Sequence, residues 1–446
     1  MSEEQLRGDA NAGSVVSIET PAFDAVRSYR SALSSDLVRK VIETYATRIL
    51  LIGLGLVTSV AVARMLGPTG RGLYAVAAAT GTLGVQFGNI GLHAANAYFA
   101  ARDRESLAAL LGNSLVVSFG FGGLISAVLA VVFHLFPHLV ALHGMTLLLA
   151  LVWIPLGLAY LHMQYLMLGV HDVRGYNLLE TVNRIVSLVI IGGLVFLRRD
   201  DVAAFFATGV VALAVCCVWT WARLRVKFAA KAVISFALFR GSFQYALKAY
   251  LTALFCFLVL RADLFMVQHM LGMEQAGYYS VASSMADYIS VIAVVIGTIL
   301  FPKLSAMKDT KEKLRLTQKT AWATVGILLP LLLGASLLAR PAVHLLFGAA
   351  FLPAALAFVL LMPGMLFLGI NSVAVQFLNS IGYPKSIVVV WGLCCVFNIC
   401  VDLWAIPRYG IAGASVVSSI SYFLAFFFIF RIIRSFAFQQ CSELLP

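Results

Sequence analysis

The sequence predicts an all-α polytopic membrane protein, and three observations carry that prediction. Of 446 residues, 61% are hydrophobic and 12% charged, with a mean hydropathy of +0.94, whereas soluble domains are about a quarter charged. Apolar runs of about 20 residues, the length a helix needs to cross the hydrocarbon, recur along the whole chain. Between them lie only short polar stretches, not the linkers that would join separate soluble cores. Disordered, collagenous, coiled-coil and secreted disulfide classes are excluded on the same grounds.

Taken in order, the apolar runs predict twelve transmembrane helices, at about 44–63, 73–100, 107–133, 145–168, 177–197, 203–222, 245–267, 277–301, 320–339, 353–380, 386–406 and 411–432. Residues 1–36 are polar and lack a signal-peptide pattern, which predicts a disordered cytoplasmic tail. Residues 37–230 and 231–435 then form two six-helix lobes, and 436–446 a second cytoplasmic tail. Sorting Lys and Arg by loop orients the chain, because basic residues collect on the cytoplasmic side. Of the 32, 22 fall on the side of the N-terminus and six on the other, the latter including Arg64 and Arg71. Both termini are therefore expected in the cytoplasm, and the net charge of +12 is explained by loops facing anionic lipid, without nucleic acid. The seven cysteines, Cys216, Cys217, Cys256, Cys394, Cys395, Cys400 and Cys441, lie in apolar runs or near the C-terminus and read as small packing residues.

The two lobes are related by an internal repeat. Met65 to Ala79 (MLGPTGRGLYAVAAA) and Met270 to Ser284 (MLGMEQAGYYSVASS) are identical at seven of fifteen positions, at a constant offset of 205 residues. Each copy joins the first span of its half to the second. Six spans per copy is an even number, so the repeat is parallel, and a cleft between such lobes is the usual place for a transported substrate.

Beyond this repeat, the chain is similar to the polysaccharide-unit flippases of the Wzx type, within the superfamily that also holds lipid II flippases and multidrug extruders. The segments that carry the resemblance are ARMLGPTGRGLYAVA at the first hairpin, LFGAAFLPAALAFVLLMPGM from Leu346, NSIGYPKS from Asn379, and NICVDLWAIPRYGIAGASVVSSIS ending at Ser421. The resemblance implies a multi-pass protein of the bacterial inner membrane that moves an undecaprenyl-diphosphate-linked oligosaccharide from the cytoplasmic to the periplasmic leaflet by alternating access. It implies no cofactor and no catalytic residue. The expected oligomeric state is a monomer, with membrane lipids and the other polysaccharide-assembly proteins as candidate partners.

Polar residues inside spans are expected to face protein or water. In the second span Thr82, Gln86, Asn89, His93 and Asn96 form one stripe at helical spacing, a candidate surface for sugar hydroxyls. Ser280, Ser283, Asp287 and Ser290 form the matching stripe of the eighth, with Asp287 at the position of Thr82. Arg48, Arg184 and Lys248, near the cytoplasmic ends of the first, fifth and seventh spans, are candidate ligands for the diphosphate; snorkelling to headgroups is the alternative, and Arg184 can also pair with Glu180. Arg261 belongs to the lumen or to the outer interface. Asp263 and Asp287 are candidates for coupling to a proton or a sodium ion, or for ion pairs with Lys248 or Arg261. Asp402, beside Ile406 and Pro407, is expected to cap a helix or lie at the interface.

His134 and His138 have metal spacing but Pro137 interrupts them, so no metal site is expected. Catalytic and nucleotide-binding motifs are lacking, which leaves an ion gradient, the membrane potential or product removal as energy source. A cation-coupled multidrug antiporter on the same fold is the main alternative; it predicts an acidic lumen. A membrane enzyme such as a polymerase or ligase would need a larger outer loop, and an assembly scaffold stays open.

Overall fold

The computed structural model describes residues 21–382 and 385–442, whose regular elements are all helical, with no strand among them. The chain divides into two units, Met1–Arg48 and Ile49–Pro446. Its helices are α1 (Pro21–Asn89), α2 (Leu92–Arg102), α3 (Leu107–Leu115), α4 (Gly122–Leu135), α5 (Gly144–Gly169), α6 (Val173–Phe196), α7 (Val202–Phe228), α8 (Phe236–Leu271), α9 (Met273–Ala306), α10 (Thr310–Leu337), α11 (Ala339–Phe347), α12 (Ala354–Ser380) and α13 (Ser386–Ser442). A π-helical turn, Val116–Phe121, joins α3 to α4. The protein is a multi-pass membrane protein: among the described residues ten helical stretches are long and apolar enough to cross a bilayer, and large apolar side chains such as Val189, Trp322 and Leu333 cover the outside.

Two of the ten are too long for one crossing. Thr47–Asn89 and Ser386–Phe436 hold 43 and 51 residues; at 1.5 Å per residue the shorter measures about 65 Å, twice a hydrocarbon core of roughly 30 Å. Each is broken by a glycine in a left-handed conformation, Gly67 at φ 65° and Gly410 at φ 63°, which a residue with a Cβ adopts only with strain. Gly272, between α8 and α9, has φ 89° and ψ 176°, close to Gly67 with ψ −177°. The sequence-equivalent turns thus share one backbone geometry.

Those two turns also pack against each other reciprocally. A Cβ on Gly72 would lie 1.9 Å from the Met273 carbonyl oxygen, and a Cβ on Gly277 would lie 2.0 Å from that of Pro68. Both pairs are related by the offset of 205, so the contact is self-complementary and admits no side chain on either glycine. Further bonds gather at the same end. Arg64 donates to the carbonyls of Leu346 and Leu345 at 2.7 and 2.5 Å, in the last turn of α11, where carbonyls lack helical partners. His269 Nδ1 lies 3.0 Å from the His138 carbonyl.

Beneath this end the core is largely α8, α9, α12 and α13, with Tyr279, Phe351, Phe358 and Phe377 fully enclosed. Cys216, Cys217, Cys394 and Cys395 are buried and unpaired, whereas Cys400 is exposed. Asp201 and Asp309 cap α7 and α10 through the backbone N–H groups of Ala203 and Lys311. Asp172 caps α6 and also accepts from Arg223 at 2.7 Å and Lys227 at 3.1 Å. Burial alone would raise its carboxyl, but the bonds from Arg223 and Lys227 hold it below the usual carboxylate range.

Gly72→Ala and Gly277→Ala should each lower the thermal midpoint in detergent by an amount corresponding to about 1–3 kcal/mol, while Gly53→Ala, whose Cβ meets nothing within 4 Å, should leave it unchanged. Equal midpoints for the three would show that the turns separate freely. Asp172→Asn should destabilise by about 1.5–3 kcal/mol at neutral pH. Because the folded carboxyl is the more acidic, this contribution is present above about pH 4 and lost as the pH falls through the folded value; urea titrations of both proteins should show a smaller difference at pH 3 than at pH 7.

Candidate functional site: a cationic cavity between equivalent helix faces

Below the reciprocal turns the two helices diverge and leave a cavity of about 270 Å³. One wall is α1, with Arg71, Tyr74, Ala75, Ala78, Ala79 and Thr82; facing it are Ser280, Ser283, Ser284 and Asp287 of α9, with Phe257, Arg261 and Leu264 of α8 between them. Ala75, Ala78, Ala79 and Thr82 are the positions equivalent to Ser280, Ser283, Ser284 and Asp287. The same face of each copy therefore lines the cavity, and the second copy has hydroxyls or a charge where the first has alanines and a threonine.

Arg71 differs most from its expected place. Counted by sequence among the loop residues of the sparsely basic side, it is 6% exposed and its guanidinium reaches into the cavity. One terminal nitrogen donates to the hydroxyls of Ser59 and Ser284 at 3.2 and 3.3 Å, the group lies 5.7 Å from the centre of the Tyr74 ring, and Nε is buried without a partner. Among the described residues no carboxylate bonds it. The reason is geometric: helix resumes directly after Gly67, so Arg71 is already one turn inside and on the stripe that runs through Ala75 and Ala78 to Thr82. Extending that stripe upward by three turns finds it.

Arg261 and Asp287 meet across the cavity in an ion pair of 2.7 Å, each about a third exposed. Asp263, two residues on, points away. It is 2% exposed and accepts bonds from the hydroxyls of Tyr279 and of Ser418, the latter at 3.0 Å, and from the Leu264 backbone N–H at 2.8 Å.

The other residues singled out by sequence lie outside this lining. The second-span stripe is divided by Ile90 and Gly91, at φ 41° and 80°, which redirects everything after them. Gln86 stays on the α1 side of the break, partly buried. Asn89 bonds the His93 ring at 2.7 Å, His93 packs edge-on against Tyr165, and Asn96, fully buried, donates to Ser114 at 2.7 Å beside the π-helical turn. Arg184 is exposed on α6 and acts electrostatically on Tyr74 and Tyr288, while Glu180 accepts from Gln164 at 2.9 Å. Arg48 is partly buried and belongs to the unit Met1–Arg48. The side chain of Lys248 lies outside the described residues.

A second polar centre lies where α8 packs on α13. Asp402, expected to cap a helix or sit at the interface, is instead inside α13 and fully buried, and among the described residues neither carboxylate oxygen has a hydrogen-bond partner. The polypeptide stays helical past it until Gly410, which is what moves Asp402 off a helix end. Asp263 lies near enough to act on it electrostatically. Asn398, one turn before on the same face, donates to Ser421 at 3.2 Å and keeps its own oxygen unpartnered. Sequence reasoning passed over this group although Asn398 and Asp402, then Ser415, Ser418 and Ser421, repeat at helical intervals.

Comparison with known proteins agrees with this architecture. The family described as polysaccharide biosynthesis protein matches residues 61–356. An uncharacterized membrane protein of Methanocaldococcus jannaschii, MJ1068, is 29% identical over 156 residues, and the match spans 34% of this chain and 31% of that relative's length. Among solved structures, the lipid II flippase MurJ in an inward closed conformation is similar with a TM-score of 0.68 at 16% identity, over 89% of this chain and 87% of that one. An inward-facing multidrug resistance MATE family transporter of the MOP superfamily gives 0.63 at 14%, over 89% and 98%. A mutant of the Vibrio cholerae MATE transporter VcmN gives 0.59 at 15%, over 91% and 98%. At such identities the likeness is one of fold.

Proposed function

We propose that this chain, which belongs to the polysaccharide biosynthesis protein family, is a flippase that carries an undecaprenyl-diphosphate-linked oligosaccharide across the bacterial inner membrane by alternating access, and not an enzyme. The observation that carries this reading is Arg71: a buried guanidinium at the head of a cavity, held by two neutral hydroxyls and with a nitrogen unpartnered. An isolated buried cation is costly, and a diphosphate supplies both the opposite charge and the oxygens that a guanidinium fork binds well. Arg261 is the second ligand. Phosphate oxygens compete with Asp287 for it, so substrate entry loosens the pair that spans α8 and α9. Arg184, exposed on α6, belongs to the cationic approach from the cytoplasm. An organic cation, the cargo of the antiporter reading, would meet Arg71, and the acid among the lining residues, Asp287, is already paired with Arg261.

In this reading the breaks at Gly67 and Gly410 turn ten apolar stretches into twelve spans, with both termini in the cytoplasm and two six-helix lobes, residues 37–230 and 231–435. The shared geometry of Gly67 and Gly272 and the reciprocal glycine contact support the parallel repeat. The reciprocal turns then seal the periplasmic end. Asp263 and Asp402, with Asn398 and Ser418, form the coupling site. Two carboxylates and an amide oxygen, three of these oxygens unpartnered, suit a proton or a hard cation such as sodium, which takes oxygen ligands, and either would relieve the repulsion between the two acids.

Flipping is measured in proteoliposomes by exposure of the substrate's sugar to an external enzyme. Arg71→Ala should slow it at least tenfold with folding intact, and a native rate in that variant would sink the anion site. For the coupling site, sodium or a lower pH should raise the thermal midpoint of the native protein, and Asp402→Asn should abolish that dependence. A native midpoint indifferent to both would return the carboxylates to a structural role.

A further inference from the structure

The helix faces that line the cationic cavity continue into a second cavity of a different character. From Arg261, α8 passes through Phe257 to Ala253; from Asp287, α9 passes to Val294, about 10 Å along at 1.5 Å per residue. Here α12 and α13 close a space of about 330 Å³, within the range of small-molecule sites, roughly 300–1,000 Å³. Its polar lining is Thr252, Thr298, Asn371, Ser372, Gln376 and Trp391, and none of its lining residues is Asp, Glu, Lys, Arg or His. We infer that this groove is the subsite for the neutral glycan of the substrate, an inference that rests on the flippase reading above.

Its hydrogen-bonding groups are arranged for hydroxyls. Asn371 is 2% exposed and its side-chain oxygen has no partner among the described residues, so an acceptor stands buried at the cavity wall at a cost that a bound donor would remove. The hydroxyls of Thr298 and Ser372 donate to the carbonyls of Val294 and Leu368 at 2.9 Å each, which leaves their lone pairs as acceptors. Gln376 donates to the Ser372 carbonyl and accepts from Asn379, both at 3.3 Å, so its amide is fixed. The wall is rigid where α9 meets α12: a Cβ on Gly297 would lie 3.0 Å from the Ser372 carbonyl oxygen. Trp391 adds an aromatic edge for the apolar face of a sugar ring.

Other occupants fit less well. A diphosphate would find no cation, an organic cation no carboxylate, and a prenyl chain would leave Asn371 unsatisfied. Sugar binding also moves from the second-span stripe, where Asn89, His93 and Asn96 are engaged with their neighbours, to the lobe that carries Arg261. The diphosphate and its first sugars then lie along one track of α8 and α9.

The test is equilibrium binding in nanodiscs of two probes, undecaprenyl diphosphate and the lipid-linked oligosaccharide extracted from cells that make the protein. The native protein should bind the glycan-bearing lipid at least tenfold more tightly. Asn371→Leu and, independently, Gln376→Leu should remove most of that preference while keeping affinity for undecaprenyl diphosphate within twofold, which also reports folding; Thr298→Val, at an exposed position, replaces either variant that misfolds. Arg71→Ala should weaken both lipids in parallel. A native protein that binds undecaprenyl diphosphate but shows no glycan preference, or groove variants that keep the preference or lose both lipids equally while folded, would overturn the subsite alone. A native protein that binds neither lipid would remove the flippase reading and the subsite with it.

Discussion

The reciprocal approach of two helical turns at Gly72 and Gly277 is the contact on which the rest of the structure depends. Each glycine lets the other copy's backbone come within van der Waals distance, and the carbonyls of Pro68 and Met273 occupy the space that side chains would fill. Close backbone packing of this kind is a strong source of helix association in lipid, where burial of apolar surface provides no drive. Once the turns are pinned, the helices that descend from them must splay. The space between them becomes a cavity lined by matching faces of α1 and α9.

That cavity shows how a repeat acquires chemistry. At four equivalent pairs of positions the first copy presents Ala75, Ala78, Ala79 and Thr82 and the second presents Ser280, Ser283, Ser284 and Asp287. The first copy contributes Arg71 instead, one turn below its glycine break, where the second has Ala276. Charge and hydrogen bonding are thus distributed asymmetrically about a symmetric backbone. The cavity further along α8 and α9 has no charged residue among its lining, so the asymmetry continues beyond the first cavity.

A second consequence concerns the buried acids. Asp263 is satisfied by Tyr279, Ser418 and a backbone N–H, whereas Asp402 has no hydrogen-bond partner among the described residues. Buried polar groups are normally paired, so an unpartnered carboxylate facing another acid is a position under electrostatic tension. Helices α8 and α13 both bear on it. Helix α8 carries both Asp263 and Arg261, so the acids and the cationic cavity share one helix.

Composition, the recurrence of apolar runs and the 205-residue repeat determined the membrane class, the helical character and the place of the first turn, because each depends on local sequence or on matching the bilayer. Helical spacing also placed Arg261 and Asp263 on different faces, since that needs only 100° per residue. Tertiary structure decided which faces meet. The kink at Ile90 and Gly91 took Asn89, His93 and Asn96 away from the cavity, while continuous helix after Gly67 brought Arg71 into it and continuous helix before Gly410 buried Asp402. A one-residue break rotates every side chain beyond it, and packing between segments some 200 residues apart chooses the partner. Neither is written in the spacing of a single span.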